Sequence, residues 1–211
     1  MKKNNEEYYS HIKDMFGKIA PFYDLLDMFL SGVRAMVVEL VNTKNNPKIL
    51  DVCTGTGSQA IAFGKKGFYV AGVDLSRDML KVAEKKNRYD NVKFIASDAA
   101  DMPFDANQFD ISCISFALHY MPVDIREKVL AEIGRVTVPG GGVVIVDHAL
   151  PKNKISRLLV YHITSLYETM YYPEFIKSDL KALIGKHGIR IEKEIPVGFG
   201  AARILKGINQ K

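Results

Sequence analysis

Between residues 48 and 150 the hydrophobic positions alternate between two patterns. The runs KILDVC, FYVAGVD, VKFIAS, FDISCISF and GVVIVDHAL are short, continuous and rich in valine and isoleucine. Such runs predict strands buried on both faces. Between them lie SQAIAFGKKG, SRDMLKVAEKKNR and PVDIREKVLAEIGRV, which carry apolar residues at helical spacing. Ser76 is placed to cap the second of these helices, and Gly64 and Gly67 punctuate the end of the first. Strand–helix–strand alternation predicts a parallel sheet covered on both faces.

The flanks follow other periods. Residues 6–42 predict two or three helices, with Phe16, Ile19, Phe22, Tyr23, Leu26 and Phe29 as apolar positions and Pro21 in the first turn of a new helix. After the core, KISRLLVYHITSLYETM sets Ile155, Leu158, Leu159, His162, Ile163, Leu166 and Met170 on one helical face. This helix and the N-terminal ones are expected to close over a ligand. SDLKALIGKHG predicts a shorter helix, capped by Ser178 and stopped by Gly188, and IRIEKEIPV and GFGAARILKGI predict a closing hairpin. We expect one domain over 1–211: a helical lid to residue 42, a core over 43–150, and substrate-side helices and a hairpin over 151–211.

Composition narrows the class. Of the 211 residues, 47% are apolar, enough for a sizeable core. The apolar runs fall short of the roughly 20 residues a membrane span needs. The start, MKKNNEEYYSHIKD, is polar, so a soluble, cytoplasmic protein is expected. The two cysteines, Cys53 and Cys113, sit in strand-like runs and read as reduced packing residues, with no metal site. The net charge of +5 is spread along the chain and reads as solvated helix faces.

The chemistry concentrates in KILDVCTGTGS. An apolar run ends on Asp51, and the turn of Gly55, Thr56 and Gly57 follows, where backbone can come close to a ligand. With Ala60 the turn also fits a dinucleotide fingerprint, so a nicotinamide dehydrogenase is one reading. Asp74 closes the second strand in AGVDLS and Asp98 follows the third in FIASDAADMPF. The three carboxylates thus stand at the C-terminal ends of successive strands, where open α/β sheets bind ligands.

This constellation resembles the class I S-adenosylmethionine-dependent methyltransferases over residues 47–150. DVCTGTGS, VDLS and SDAADMPF are similar to that family's successive motifs, and RVTVPGGGVVIVD to its segment leading into the fifth strand. The resemblance implies a doubly wound, Rossmann-like α/β fold. Its sheet has seven strands and is mostly parallel, with an antiparallel closing strand. It also implies S-adenosylmethionine as cofactor: Asp51 near the amino-acid end, Asp74 on the ribose hydroxyls, Asp98 with Ala99 on the adenine amino group, and Leu75 and Met79 flanking the adenine. Thr54, Gly55, Thr56, Gly57 and Ser115 complete the implied cofactor set. Cys53 stands where the family often has glycine.

MFGKIAPFYDLLDMFLS further resembles the opening of the ubiquinone/menaquinone C-methyltransferases, with Asp27 near a usual asparagine. That resemblance implies a small apolar or aromatic acceptor, such as a quinol, phenol, lipid or amine, with peripheral membrane contact if the acceptor is lipidic. In that motif Tyr23 lines the cofactor or substrate pocket. His119 and His148 follow the fourth and fifth strands and are, with Tyr23, the candidate catalytic residues; histidine is the natural base near neutral pH. Each histidine also reads as a locally bonded loop residue, and Tyr23 as a packing tyrosine. His162 reads as a core histidine. Tyr161, Tyr167, Tyr171, Tyr172 and Phe175 read as pocket lining or as packing. No Asn-Pro-Pro-Tyr-like run follows the fourth strand, where ISFALHYMP stands, and no nucleic-acid partner is expected. A non-catalytic S-adenosylmethionine-binding module and an RNA methyltransferase stay open beside the dehydrogenase, and the oligomeric state is not assigned.

Overall fold

The computed structural model describes residues 2–27, 30–41, 46–165 and 170–211. Helices α1 (Lys2–Asp27) and α2 (Ser31–Val41) precede β1 (Lys48–Val52), α3 (Ser58–Gly64), β2 (Tyr69–Asp74), α4 (Arg77–Lys86), β3 (Val92–Ala96) and β4 (Phe109–Ser115). Then come α5 (Val123–Val136), β5 (Thr137–His148), α6 (Lys154–Ser165), α7 (Tyr172–Lys177), α8 (Leu180–Lys186), β6 (Ile189–Val197) and β7 (Ala202–Asn209).

All seven expected strands form one sheet in the order β3-β2-β1-β4-β5-β7-β6. The pairs among β1 to β5 are parallel, and β7 runs antiparallel to both β5 and β6. The chain reverses direction in sheet order at β1/β4, so the C-terminal ends of β1, β2 and β4 open a crevice there. Both sheet faces are buried. Leu50, Val52 and Ile114 pack with α5 residues Val129 and Ile133 on one face, and Ile49, Ile111 and Cys113 pack with Val37 and Phe63 on the other. This double burial is why these strands read as continuous apolar runs.

Several local expectations are corrected. The helix over 6–42 does not restart at Pro21: α1 runs unbroken for 26 residues. Proline costs one backbone bond inside a helix, but α1 is held by packing on both sides of it, through Tyr8 and Ile12 in the core and Phe16 edge-on to Tyr23. Phe29 and Leu166 lie outside the described residues. The strand expected from Gly142 begins earlier, at Thr137, with the PGGG segment as an irregularity between Phe109 and Ile111 of the neighbouring strand. A Cβ on Gly141 would meet Asp110 O and Val138 O at 2.8 Å, so only glycine fits there. Ser76 caps α4 as expected, accepting from Met79 N. Ser178 does not cap α8; its hydroxyl donates to Phe175 O at the end of α7, and Asp179 caps α8 instead.

The largest departure is α6. Its apolar face was expected to turn inward, yet Ile155, Leu158, Leu159 and Ile163 are exposed, and so is His162, which is no core histidine. Thr164 is the buried residue of this helix.

Candidate functional site

Most of the expected cofactor-site residues meet at the C-terminal edge of the sheet in a concave, mostly apolar groove, the form of a small-molecule site. Tyr23, Gly55, Asp74, Leu75, Met79 and Asp98 line it, together with Ala99 and Ser115. An adjoining recess is lined by Asp51, Thr54, Thr56 and Arg34, and shares Tyr23, Cys53, Gly55 and Ser115 with the groove. Residues from four strand ends are therefore brought together as the sequence pattern implied.

Each acid has a local reason for its position. Asp74 ends β2, where Gly55 N and Ser76 N each donate to one carboxylate oxygen at 2.8 Å. Burial pushes its carboxyl above the usual range, against the pull of those two N–H donors. A diol that donates to the remaining lone pairs would offset that burial. Asp51 is buried at the end of β1 and accepts from Thr54 Oγ1 at 2.5 Å. Asp98 accepts from Ala100 N at 2.9 Å and from the phenol of Tyr9.

The glycine turn divides its labour. Gly55 has φ 56°, and a Cβ there would find its first neighbour, Tyr23 Cε1, only at 3.9 Å, so the backbone faces open groove. Gly57 lines neither cavity. A Cβ on it would meet Phe94 Cζ at 2.6 Å, so its role is packing beneath the loop. Thr56 turns its hydroxyl to Asp24 of α1, which also pairs with Lys86 of α4 at 2.6 Å. Cys53 is not inside a strand. It follows β1 with φ 55°, in the left-handed region, and lines the groove. That backbone explains why glycine is favoured at this position. Burial and the three neighbouring aspartates push its thiol well above the ordinary range, so it stays protonated.

The histidines lie elsewhere. Neither His119 nor His148 lines the groove. His119 sits in the turn Leu118–Tyr120, 1% exposed, with Nδ1 at 2.6 Å from Asp147 Oδ1. An ionised carboxylate only accepts, so Nδ1 carries the proton. Asp147 also accepts from Leu118 N and His148 N. Burial raises the Asp147 carboxyl, but His119 and His148 together hold the group below the usual carboxylate range. The His119 ring lies against Tyr120, which does line the groove, and His148 stands edge-on to His119, Phe116 and Tyr172.

Four of the C-terminal aromatics are described, and they pack rather than line the groove. Tyr172 and Phe175 are buried, Tyr171 meets Tyr8 edge-on, and Tyr161 tilts against Tyr172; Tyr167 lies outside the described residues. The sequence reading missed other residues. Tyr8, Tyr9 and Ile12 of α1 also wall the groove, Tyr9 beside Asp98; the signal was the stripe Tyr8–Ile12–Phe16, at one helical face. Arg126, fully buried in α5, donates to Leu118 O and Met121 O and pairs with Glu174 of α7. Nothing in a charged helical segment marks it out.

The donor set fits S-adenosylmethionine: acceptor-only carboxylates suit an ammonium and a ribose diol, and an apolar wall of Leu75 and Met79 suits a base. Comparisons with known proteins point the same way. The chain is 39% identical over 145 residues to the demethylmenaquinone methyltransferase of Paenarthrobacter aurescens, covering 66% of this chain. That alignment spans 56% of the relative, so the chain matches little more than half of its length. The demethylmenaquinone methyltransferase of Staphylococcus epidermidis is 32% identical over 214 residues, covering 97% of this chain and 85% of its own. The fold is also that of a magnesium protoporphyrin IX methyltransferase from Synechocystis with bound S-adenosylhomocysteine, at TM-score 0.70 and 17% identity over 96% of this chain and 99% of that one. The sequence profile of the ubiE/COQ5 methyltransferase family matches residues 1–175, and the chain belongs to that family.

Proposed function

We propose that this protein binds S-adenosylmethionine in the groove and transfers its methyl group to a quinol-type ring. The observation that carries the reading is the set of strand-end acids, with Asp74 and Asp98 on one apolar groove walled by α1 and Asp51 on the recess that adjoins it. The named relatives, which are demethylmenaquinone methyltransferases, support the acceptor class.

S-adenosylmethionine supplies, when bound, a methyl group already activated on a sulfonium. The chain's residues then bind, orient and exclude water. Asp74, held by Gly55 N and Ser76 N, receives the ribose hydroxyls. Asp51, with Thr54 beside it, takes the ammonium. Asp98 and Ala99 take the adenine edge, with Leu75 and Met79 on its faces. Tyr23, Phe16 and Tyr120 form an aromatic wall where a ring can lie. Dry, aligned reactants account for much of the barrier reduction in such a transfer.

A hydroquinone carbon becomes nucleophilic when a neighbouring phenolic O–H gives up its proton. When the ring carbon gains the methyl and the ring re-aromatises, the proton on that carbon leaves while the oxygen regains one, so one proton is released overall. Asp147 fixes the tautomer and orientation of His119, whose ring backs Tyr120 of the groove wall.

The test is calorimetric titration with S-adenosylmethionine, S-adenosylhomocysteine and NAD, followed by methyl transfer to a short-chain hydroquinone. Binding of the first two alone, with label appearing on ring carbon, is the expected result. Binding of NAD alone overturns the cofactor, and cofactor binding with no transfer to any quinol, phenol or amine overturns the enzymatic reading.

A further inference from the structure

Helix α6 carries its apolar stripe on the outside. Ile155 is 80% exposed, Leu158 61%, Leu159 59% and Ile163 50%. Burying such side chains is worth enough that an exposed contiguous stripe marks a contact surface. Thr164 and Tyr161, on the other side of the helix, face the body of the molecule.

A second feature adjoins the first. The turn Gly198–Gly200 between β6 and β7 presents Phe199, wholly exposed at φ 56°. A bulky aromatic at positive φ is strained, and nothing in the fold buries it. This turn touches the start of α6. The backbone of Gly200 lies against Pro151, Ala149 N donates to Ala201 O at 2.9 Å, and Arg157 Nε donates to Pro151 O at 3.1 Å. Phe199 and the stripe thus share the sheet edge that carries the groove.

Within the segment that carries the stripe the charge has one sign. Residues 149–165 contain Lys152, Lys154 and Arg157 and no aspartate or glutamate. All three cations are exposed. Exposed apolar residues with flanking cations match the surface of an anionic bilayer. A second copy of the chain fits less well, because a two-fold contact would bring the same cations together. Among the described residues no helix is long and apolar enough to cross a membrane, so the contact is peripheral.

We infer that the outer face of α6, with Phe199, is a docking surface for an anionic lipid bilayer. It goes beyond the proposed reaction and stands without it, though it would set the groove edge toward a membrane-dissolved acceptor.

The test is co-sedimentation of the full chain with vesicles of phosphatidylcholine alone or mixed with phosphatidylglycerol. The wild type should bind the mixed vesicles at least about tenfold more tightly, since each cation near the surface contributes roughly fivefold. Raised salt should weaken this preference. Lys152→Glu with Lys154→Glu should abolish the preference, and Leu158→Glu with Leu159→Glu should abolish binding to both. These positions are exposed and outside the groove, so circular dichroism and cofactor titration should match wild type. Equal binding of wild type to both vesicle types overturns the inference, as does unchanged binding by the variants. A wild-type dimer in light scattering that the leucine variant dissolves, with no vesicle binding, also overturns it and assigns the face to a second copy. Cofactor titration is read apart from vesicles, so failure of the methyltransferase reading leaves this result standing.

Discussion

At Asp74 two backbone N–H groups, from Gly55 and Ser76, converge on one buried carboxylate. Removing it leaves both donors without their acceptor and takes away the partner for a ribose diol. Asp74→Ala should weaken S-adenosylmethionine binding by about 1.5–3 kcal/mol, or roughly 10- to 150-fold, in calorimetric titration. Cys53 makes the opposite case. Its left-handed backbone costs a non-glycine residue about 1–2 kcal/mol, while glycine loses part of that in unfolded-chain entropy. Cys53→Gly should therefore raise stability by about 0.5–1 kcal/mol, seen as a rise of roughly 2 °C in melting temperature. Asp147 gives the pH dependence. Its carboxyl is held below the usual range in the fold, so its contribution is complete above the unfolded value and is lost as pH falls through the folded one. Melting temperature should drop steeply below about pH 4. Asp147→Asn should be less stable at neutral pH by about 2 kcal/mol and show a shallower acid decline.

Elements differ in how far their sequence foretold them. Strands β1, β2, β4 and β5 were legible because burial on both faces writes itself as apolar runs, while the edge strand β3, only part-buried, was legible from its short Val/Ile/Phe run. α4 was legible because its cap, Ser76, is local. α6 was legible as a helix but not in its orientation. The same amphipathic stripe satisfies a core or an outer contact, and the choice rests on what packs against it. α1 likewise outran its local signal at Pro21. It is clamped at the groove by the Asp24–Lys86–Thr56 contacts, which are half-exposed and so worth little individually. Lys86→Ala should cost about 0.5–1 kcal/mol of global stability and speed hydrogen exchange in the second half of α1 more than in the sheet. Arg126 of α5 ties the His119 turn to α7 through two carbonyls and Glu174. Arg126→Ala leaves those buried carbonyls unpaired and opens a cavity. A loss of about 2–4 kcal/mol is expected in denaturant unfolding.

For the whole molecule, the sequence alone determined the architecture and the acids of the groove. Alternating buried strands and helices leave few topologies. A parallel sheet puts every strand's C-terminal end on one edge, so Asp51, Asp74 and Asp98 had to converge whatever the packing details. The Gly-rich turn was local as well. Only the tertiary structure decided the rest. It placed Tyr8 and Tyr9 beside Asp98, withdrew Gly57 beneath the loop, and set His119 behind Tyr120 rather than in the groove. It paired His119 with Asp147, a residue 28 positions away. It buried Arg126 and left the face of α6 outside. These outcomes depend on which surfaces meet across long stretches of chain. A side chain's periodicity records that it has an apolar or polar face, while its partner is fixed by where other elements come to rest.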